Sequence, residues 1–341
     1  MNKSPLVSLL VPCYNHERFL DDHLQSILAQ TYENVEILIC DDCSRDGSFA
    51  KLMAYQSQLA KRFSRVEILQ NPENAGVSRN LNRLLELAKG DYIKILASDD
   101  ALAPQAIAKM VAWLESHPAY ALVVANGEKI PEDSHFPDFP SSGPVYLQAP
   151  DFAQPGFLER TALCCEIFAP GAMLRKEVFD RHGSYDESIP VEDFEYWLRL
   201  LAAGDVAFGH LDEKLIYYRS SGTSITSMAG NPGLEQRRRW FYRAEMAALK
   251  KYQNHLPRDI YARAVLRRTM DERWLAVKAD LPQWEQAMRR EWKAFPDKKA
   301  LPIKTAAVYF WRNRKLDVKI RLNRLYTKDK RKDAPNGEIT Q

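Results

Sequence analysis

Short runs of apolar, often β-branched residues alternate with amphipathic stretches along the first part of the chain. Five runs have the length and composition of buried strands: residues 7–11, 35–40, 66–69, 92–96 and 121–125. Between them, apolar positions recur at helical spacing, most clearly over residues 17–29 and 77–88. We expect Asn15 to cap the first of these helices. The alternation predicts an α/β fold built on a mostly parallel, doubly wound sheet.

Polar residues are concentrated where the first four predicted strands end. They comprise Pro12, Tyr14 and Asn15 after the first strand, Asp41 and Asp42 after the second, Asn71 and Asn74 after the third, and Ser98, Asp99 and Asp100 after the fourth. The carboxyl ends of parallel strands share one edge of a sheet, and open α/β sheets bind their ligands at that edge. We therefore expect these four clusters to form one ligand site.

The second half of the chain has a different pattern. Residues 131–155 are rich in Pro, Ser and Gly, which predicts a loop that could cover the site. A short helix is expected after Arg175 and a clearer one over residues 193–202. After residue 228 the pattern becomes long, basic and helical, with breaks near Pro257, Pro282, Pro296 and Pro302. We predict a domain over residues 1–228, with halves at about 1–125 and 160–228, and a basic, mainly helical extension over residues 229–341.

Charge divides the chain at the same point. Residues 1–230 carry 20 Lys and Arg against 32 Asp and Glu, whereas residues 231–341 carry 28 against 13, although the net charge of the whole chain is only +3. The basic part also contains several tryptophans. Such a composition favours a polyanionic partner, either a nucleic acid or an anionic membrane surface. The plain alternative is a helical extension with a solvated basic face.

Cysteine usage and hydropathy indicate a cytoplasmic protein. The five cysteines are an odd number without a disulfide pattern, and the spacing of Cys40 and Cys43 lacks the second pair that a metal site needs. The N-terminus does not have the apolar region or the cleavage site of a signal peptide. No run approaches the roughly 20 apolar residues that cross a bilayer. These features predict a cytoplasmic location unless another feature carries the chain to a membrane.

The two Asp-Asp pairs provide the chemistry of the predicted edge. A divalent cation such as Mn²⁺ or Mg²⁺ would offset the repulsion between Asp99 and Asp100 and bridge a diphosphate. Asp41 and Asp42 can accept hydrogen bonds from a base or a ribose, and Tyr14 offers a ring face. A solvated acidic turn is the plain alternative for each pair. Neither GxGxxG nor GxxxxGKS occurs in the chain, which favours a metal ion as the means of holding phosphate.

Five segments, taken in order, resemble the signature of family 2 glycosyltransferases. They are VSLLVPCYN (7–15), ICDDCSRDGS (39–48), NAGVSRN (74–80), GDYIKILASDD (90–100) and the pair Glu192-Asp193. The resemblance covers about residues 5–226. It implies the GT-A fold, a divalent metal, and transfer of a sugar from a nucleotide diphosphate donor to an acceptor hydroxyl.

The resemblance also implies roles for individual residues. Tyr14, Asp41 and Asp42 would lie at the nucleoside with Arg79 nearby, Asp99 at the metal, and Asp193 would be the catalytic base. We place Pro12, Asn15, Asn74 and Ser98 in the same nucleotide-sugar site, and Asp100 beside Asp99 at the metal.

Asp193 also fits the role of a base on physical grounds. It stands beside Glu192 at the start of an apolar-faced helix, where the helix N-terminus stabilises a carboxylate that can take a proton from an acceptor hydroxyl. An inverting transfer needs one base on the acceptor side and charge stabilisation on the leaving side, which Asp193 and Asp99 would supply. Glu192 is the next candidate for the base. An N-terminal helix charge without a catalytic role is the alternative.

Two positions depart from the family pattern. Ala97 stands where the metal motif commonly has a first Asp. Ser221 stands where a histidine often helps to hold metal or diphosphate, in the stretch YRSSGTSIT (218–226). A separate segment, QRRRW (236–240), resembles the QxxRW pattern of processive polysaccharide synthases. Those enzymes flank the pattern with membrane-spanning helices, so we interpret the segment as a basic helix face.

Together these features predict a glycosyltransferase, peripheral on the inner face of the cytoplasmic membrane, that extends a bacterial surface glycan such as an O-antigen, a capsule or a lipooligosaccharide. The expected partners are a nucleotide diphosphate sugar, a glycan or lipid-linked glycan acceptor and an anionic membrane surface, and no nucleic acid. Two alternatives stay open. One is a GT-A domain that Ala97 and Ser221 have weakened into a binding or scaffold subunit, and the other is a nucleotidyltransferase.

Overall fold

The computed structural model describes residues 4–145, 152–220 and 232–278, together with Gln286, Arg290 and residues 293–295. Strands and helices alternate regularly in the first part of the chain: β1 (Val7–Cys13), α1 (Leu20–Leu28), β2 (Val35–Asp41), α2 (Ser48–Arg62), β3 (Arg65–Gln70), α3 (Val77–Leu87) and β4 (Tyr92–Ile95). The first four predicted strands and both predicted helices are confirmed. Strands β1 and β2 are buried along nearly their whole length, because helices cover both faces of a doubly wound sheet.

The elements that follow are mixed in type. They are β5 (Ala101–Leu102), α4 (Ala106–Ser116), β6 (Leu122–Pro131), β7 (Gly143–Pro144), α5 (Phe157–Leu163), a 3₁₀ turn (Ala169–Gly171), β8 (Ala172–Arg175), α6 (Lys176–His182), α7 (Glu192–Ala203), β9 (Phe208–Ser220), α8 (Pro232–Lys251), a second 3₁₀ turn (Gln253–His255) and α9 (Arg258–Lys278). The helices predicted after Arg175 and over residues 193–202 are confirmed by α6 and α7. Strand β9 was not predicted, because charged residues interrupt its apolar pattern.

All the described strands belong to one nine-stranded sheet, in the order β3-β2-β1-β4-β8-β6-β9-β5, with β7 paired to β6. The first four strands of this order are parallel. Strand β8 runs antiparallel to both β4 and β6, and β6 is parallel to β9. The predicted α/β fold is confirmed, with its parallel part at β1–β4 and a mixed part beyond. The parallel part aligns the carboxyl ends that carry the polar clusters.

Of two loops with a predicted role or shape, the one after β1 differs from the prediction and the segment 131–155 agrees with it. Asn15 does not cap α1: Phe19 occupies the N-cap position, without a side-chain hydrogen bond. Asn15 instead has a positive φ of 54° and its Oδ1 accepts a hydrogen bond from the Arg45 N–H (2.7 Å). The prediction of a cap was therefore wrong, because the chain makes a further turn before the helix begins. The segment 131–155 is mainly loop, as predicted, apart from β7 and residues 146–151, which lie outside the described part.

The C-terminal helices pack against the body of the protein. Helices α8 and α9 are separated at Pro257, as predicted. A second apolar core joins them to α5 and α7; its buried members include Ala162, Phe194, Leu198, Ala248, Leu249, Tyr252 and Ala264. The helix that begins with Glu192 is thus covered by the extension. The predicted boundary at residues 228 and 229 stays a prediction, and the breaks near Pro282, Pro296 and Pro302 lie outside the described residues. None of the described helices is long and apolar enough to cross a membrane.

Candidate active site

The carboxyl ends of β1, β2, β3 and β4 lie at one edge of the sheet, as predicted. Backbone hydrogen bonds continue past the strands there. The Asp42 N–H donates to the Cys13 carbonyl (2.8 Å). The Asn71 N–H donates to the Asp41 carbonyl, also at 2.8 Å. The segments that carry the predicted site residues are therefore held side by side.

Asp41 ends β2 and is fully buried. Its Oδ2 accepts hydrogen bonds from the Ser44 N–H (3.0 Å) and from Gln70 Nε2 (3.1 Å). Its Oδ1 is buried and has no hydrogen-bond partner among the described residues. Leaving a buried acceptor unsatisfied costs about 1–3 kcal/mol, and more for a charged group. This oxygen can therefore gain from an N–H or O–H group of a ligand.

Both carboxylate oxygens of Asp42 accept hydrogen bonds from other residues of the protein. Its Oδ1 accepts hydrogen bonds from Asn71 Nδ2 and the Ala75 N–H, and its Oδ2 accepts one from the Gly76 N–H, all at 2.8 Å. Gly76 has a positive φ of 84° and immediately precedes α3. The carboxylate therefore holds the loop before α3 in place. Of the two aspartates, Asp41 keeps the oxygen that a ligand can use.

The loop after β1 is fastened to the loop after β2. The Asn15 N–H donates to Ser44 Oγ (2.8 Å), and Asn15 Oδ1 accepts the Arg45 N–H described above. Pro12 is half-buried in β1, whereas Tyr14 is 38% exposed. The Tyr14 ring is thus exposed for stacking on a ligand at this edge of the sheet.

His16 connects this loop to the turn after β4, and the sequence motifs did not indicate it. Its Nδ1 lies 2.8 Å from Ser98 Oγ and 3.9 Å from Asp99 Oδ1. The side chains of His16 and Asp99 are 29% and 24% exposed, and Ser98 is buried. His16 Nε2 makes no hydrogen bond within the described part of the chain. The available sequence signal was the position of His16 directly after Tyr14 and Asn15.

Asp100 differs from Asp99 in that it is almost completely buried. Its Oδ1 accepts a hydrogen bond from the Arg219 N–H (2.9 Å). Burial raises the pKa of Asp100 well above its ordinary value, and the negative charge of Asp99 adds to the effect. The buried carboxylate of Asp100 is thus partly engaged by β9, and its predicted metal role stays a prediction. Asp99 is the carboxylate of this turn that reaches the edge.

Glu192 and Asp193 begin α7. Asp193 Oδ1 accepts a hydrogen bond from the Phe194 N–H (2.7 Å). Burial raises the pKa of both carboxyl groups, and the charge of Asp193 contributes to the pKa of about 8 for Glu192. A pKa of about 8 favours the protonated form of Glu192 at neutral pH. The role of Asp193 as proton acceptor stays a prediction.

Helix α3 links the two parts of the site. Arg79 Nε donates to Glu187 Oε2 (3.1 Å), and both side chains are exposed. Asn82 Nδ2 donates to the Tyr185 carbonyl (2.9 Å), and Asn82 Oδ1 accepts from the Tyr185 N–H (2.9 Å). The segment that precedes α7 is therefore held against α3, whose N-terminus lies at the carboxyl edge.

The two carboxylate clusters remain distinct. Within the described residues, no hydrogen bond or ion pair joins Glu192 or Asp193 to Asp99. Asn74, in the loop before α3, is exposed.

Asp99 fits a divalent metal that binds together with a diphosphate. No group of three or more His, Cys, Asp or Glu side chains in the described residues could hold an ion by itself. Mg²⁺ is usually held by one or two carboxylates together with phosphate oxygens of the substrate, and Asp99 supplies such a carboxylate. His16 adds an imidazole, which suits transition metals better than Mg²⁺. Ser221, the second departure from the family pattern, lies outside the described residues.

Known proteins resemble this chain in sequence. The model of "Glycosyl transferase family 2" matches residues 8–183. The putative glycosyltransferase EpsE of Bacillus subtilis is 33% identical over 204 residues, which are 60% of this chain and 69% of that protein. The putative teichuronic acid biosynthesis glycosyltransferase TuaG of the same organism is 28% identical over 258 residues, 73% of this chain and 91% of that protein.

A solved structure resembles the fold. The mannosyltransferase PcManGT from Pyrobaculum calidifontis, determined in complex with GDP-Man and Mn²⁺, aligns over 96% of this chain and 89% of its own, with a TM-score of 0.55 and 16% identity. At this identity the likeness concerns the fold alone. The family match, in contrast, spans just over half of the chain, includes Asp41 and Asp99, and ends before Glu192. The chain therefore belongs to glycosyl transferase family 2.

Proposed function

We propose that this enzyme transfers a sugar from a nucleotide diphosphate donor to an acceptor hydroxyl, with inversion, in the assembly of a bacterial surface polysaccharide. The observation that carries the proposal is the carboxyl edge of β1–β4, where Asp41 has an unpartnered oxygen and Asp99 a partly exposed carboxylate. Membership of the family supports sugar transfer. The name of TuaG, which refers to teichuronic acid biosynthesis, supports the surface polysaccharide.

The nucleoside of the donor would bind beside Asp41. Its Oδ1 accepts an N–H of the base or a hydroxyl of the ribose, and Tyr14 stacks on the base. Pro12, Asn15 and Asp42, which lie in or fasten the surrounding strand and loops, would shape the pocket. Asn74 and Arg79 lie on the adjacent loop and helix. Arg79 would exchange its exposed pair with Glu187 for the donor diphosphate.

The diphosphate would bind with Mn²⁺ or Mg²⁺ at Asp99. When bound, the ion neutralises the charge that develops on the leaving diphosphate. Ser98 fixes the His16 ring through its hydroxyl group, and His16 adds a polar contact beside Asp99. The imidazole of His16 would supply a nitrogen ligand where Ala97 takes the place of the family's aspartate. We therefore expect Mn²⁺ to serve better than Mg²⁺.

Asp193 would accept the proton of the acceptor hydroxyl. Its position at the N-terminus of α7, where the Phe194 N–H donates to its Oδ1, stabilises the charged form. Glu192 keeps its proton, so that the pair carries a single negative charge near neutral pH. The acceptor oxygen then attacks the anomeric carbon from the side opposite the diphosphate. The bond from this carbon to the diphosphate oxygen breaks, the nucleoside diphosphate leaves with the electron pair, and the anomeric configuration is inverted.

The basic extension would bring the enzyme to an anionic membrane surface on the cytoplasmic side, where a lipid-linked glycan acceptor is presented. Trp240, on α8, is 49% exposed. Part of the basic charge serves internal contacts, since Arg239 and Arg243 both pair with the buried Glu272. The membrane contact would therefore be made by other Lys and Arg side chains of the extension.

The alternatives are separated by binding and turnover. A nucleotidyltransferase is disfavoured by the family match. A scaffold subunit would bind a nucleotide without metal-dependent turnover. For this reason the first test is nucleotide binding with and without metal, and turnover is measured separately.

Titration of the protein with UDP and GDP, in Mn²⁺ and in EDTA, tests the donor site. We expect Asp41→Asn to weaken binding of the preferred nucleotide by about 10- to 100-fold, since a hydrogen bond to a charged group contributes about 1.5–3 kcal/mol. Asp99→Asn should abolish only the enhancement by Mn²⁺. Asp91→Asn is the matched control, because Asp91 accepts the Leu6 N–H (2.7 Å) at the opposite edge of the sheet. Equal affinities of the Asp41 and Asp91 variants would contradict the assignment.

A further inference from the structure

Arg219, the penultimate residue of β9, is a buried cation beside the turn that carries Asp99. It is 2% exposed. Its Nε donates to the carbonyl oxygen of Asp99 (3.0 Å), and its backbone N–H donates to Asp100 Oδ1 (2.9 Å). Both residues of the turn are therefore held by one arginine. The sequence motifs assigned no role to Arg219.

The rest of the guanidinium group binds two other segments. Its Nη1 donates to carbonyl oxygens of the 131–134 segment, with Ser134 the nearest at 2.8 Å, and its Nη2 donates to Asp22 Oδ2 of α1 (3.2 Å). The rings of Phe19 and Phe139 lie 5.0 and 5.7 Å from the guanidinium carbon. One planar group thus joins the metal turn, α1 and the loop after β6.

Such a contact is specific to arginine. The guanidinium group presents five N–H donors in a rigid fork, whereas a lysine ammonium is a compact charge on a flexible stem. Burying a charge is costly unless good geometry and further hydrogen bonds compensate it, and an apolar residue often fills such a place at no loss of stability. A buried arginine at this turn is therefore better explained by orientation than by packing alone.

We propose that Arg219 is a positioning residue for Asp99: it fixes the backbone of the turn and the 131–139 loop in the arrangement that receives the donor and its metal. This inference rests on the proposed function, because Asp99 must contact the metal. Partners that orient a metal ligand typically contribute a factor of roughly 10 to 100 in metal affinity.

The test compares Arg219→Lys with Arg65→Lys. Arg65 is a matched control, since its Nη1 donates to the buried Glu36 (2.6 Å) and to the Leu87 carbonyl (2.8 Å) near the opposite edge of the sheet. Two readouts are needed. One is hydrogen exchange of peptides that cover residues 97–102 and 131–139, and the other is the affinity for Mn²⁺ in the presence of saturating UDP or GDP, read from the electron paramagnetic resonance signal of free Mn²⁺.

We expect Arg219→Lys to speed exchange in both peptides and to weaken Mn²⁺ binding by roughly 10- to 100-fold, with neither effect in Arg65→Lys. Faster exchange with unchanged Mn²⁺ affinity would reduce Arg219 to a structural contact and overturn the inference. Unchanged exchange would overturn it as well. If Arg219→Lys does not fold, Asp22→Asn decides, since it weakens the ion pair with Nη2. Asp22 also contacts His135 and the Phe136 N–H directly, so the informative readouts of this variant are exchange over residues 97–102 and the affinity for Mn²⁺. Both should shift in the same direction as in Arg219→Lys, by a smaller factor, and no shift in either would overturn the inference.

Measurements on the wild-type protein separate a failure of the proposed metal role of Asp99 from a failure of the proposed role of Arg219. If it binds Mn²⁺ no better with UDP or GDP than without, the proposed metal role of Asp99 fails, and this inference fails with it. If the wild type binds the metal with the nucleotide but the Arg219 and Arg65 variants behave alike, only the inference fails.

Discussion

The surroundings of each carboxyl group set its pKa, and the pH dependence of kcat shows which group acts as the base. Because burial raises the pKa of Asp193, its carboxyl group loses its proton at a higher pH than an ordinary aspartate. The ionised form is the base, so kcat should rise with pH through this raised pKa and fall as the solution becomes more acidic. Asp193→Asn should lose at least about 10² in kcat, the usual contribution of a general base, while donor binding survives.

Glu192→Gln is the matched variant at the neighbouring position. Burial and the charge of Asp193 raise the pKa of Glu192 to about 8, so this group is already neutral at lower pH. We expect Glu192→Gln to keep most of the turnover at pH 7 and to leave the acid limb of the pH profile in place. Steady-state kinetics of both variants across the pH range is the measurement. A loss in Glu192→Gln as large as that in Asp193→Asn would reassign the base to Glu192.

The sequence predicted the sheet edge at which the site lies, but not the different contacts that the aspartates of this edge make. Asp41 and Asp42 look equivalent as neighbours, yet Asp42 is occupied by the loop before α3 and Asp41 keeps an oxygen without a partner. Asp99 and Asp100 also differ in their contacts, because Asp100 is buried and accepts the Arg219 N–H, whereas Asp99 is partly exposed. The partners that separate them come from residues far along the chain, and sequence spacing carries no information about such contacts.

At the scale of elements, α7 depends on the C-terminal helices for its position. Glu195 is fully buried, and its Oε1 accepts hydrogen bonds from Lys251 Nζ (2.7 Å) and Tyr252 Oη (2.6 Å), while Arg199 contacts both of its oxygens. Glu195 lies two residues after Asp193 on the same helix. The contact therefore couples α8 to the helix that carries Asp193.

Glu195→Gln should lower the free energy of unfolding by on the order of 3 kcal/mol, because it removes the buried carboxylate that pairs with Arg199 and leaves Lys251 with Asp186 alone. It should also lower kcat by disturbing α7. The control is Asp180→Asn, which breaks the exposed pair with Lys176 on α6 and should cost at most about 0.5 kcal/mol. Chemical denaturation measures both. Equal costs for the two substitutions would show that α8 does not hold α7 through Glu195.

The elements themselves were predictable to different degrees. Strands β1 and β2 are largely apolar runs, because both of their faces are buried, and such runs stand out in the sequence. Strand β3 is only partly buried and was recognised from its shorter apolar core. Strand β9 alternates charged with apolar residues, and β5 and β7 have only two residues each. Their pairing depends on neighbours in the sheet, which a local pattern cannot reveal. The sequence pattern also did not reveal that β8 runs antiparallel to β4 and β6, which makes the sheet mixed beyond β4.

For the whole molecule, the division between an acidic body and a basic extension predicts where the enzyme works. Each Lys or Arg near an anionic membrane contributes about 1 kcal/mol, and salt weakens the attraction by shortening the Debye length. The full chain should therefore sediment with anionic vesicles at low salt, and much less with neutral vesicles or at high salt. Deleting the residues beyond 305 should reduce this binding and leave nucleotide affinity intact, because Asp41 and Asp99 lie in the body.

Co-sedimentation of the full and shortened chains with both kinds of vesicle is the measurement. The internal pairs of the described part, such as Arg268 with Glu245, lower the charge available to lipid, so the shortened chain should retain only weak binding. If both chains sediment alike under every condition, the extension serves packing alone and the proposed membrane contact is wrong.

We propose that this family 2 enzyme binds a metal at Asp99, at the carboxyl edge of its sheet, and that the metal activates a nucleotide sugar. This role is tested most directly by the release of nucleoside diphosphate from a panel of UDP- and GDP-sugars, measured in Mn²⁺ and in EDTA for the wild type, Asp99→Asn and the Asp91→Asn control. We predict release by the wild type and by the control in Mn²⁺, loss of release in EDTA, and a reduction of about 10² or more in Asp99→Asn. Release that continues undiminished in EDTA and in Asp99→Asn would contradict the account.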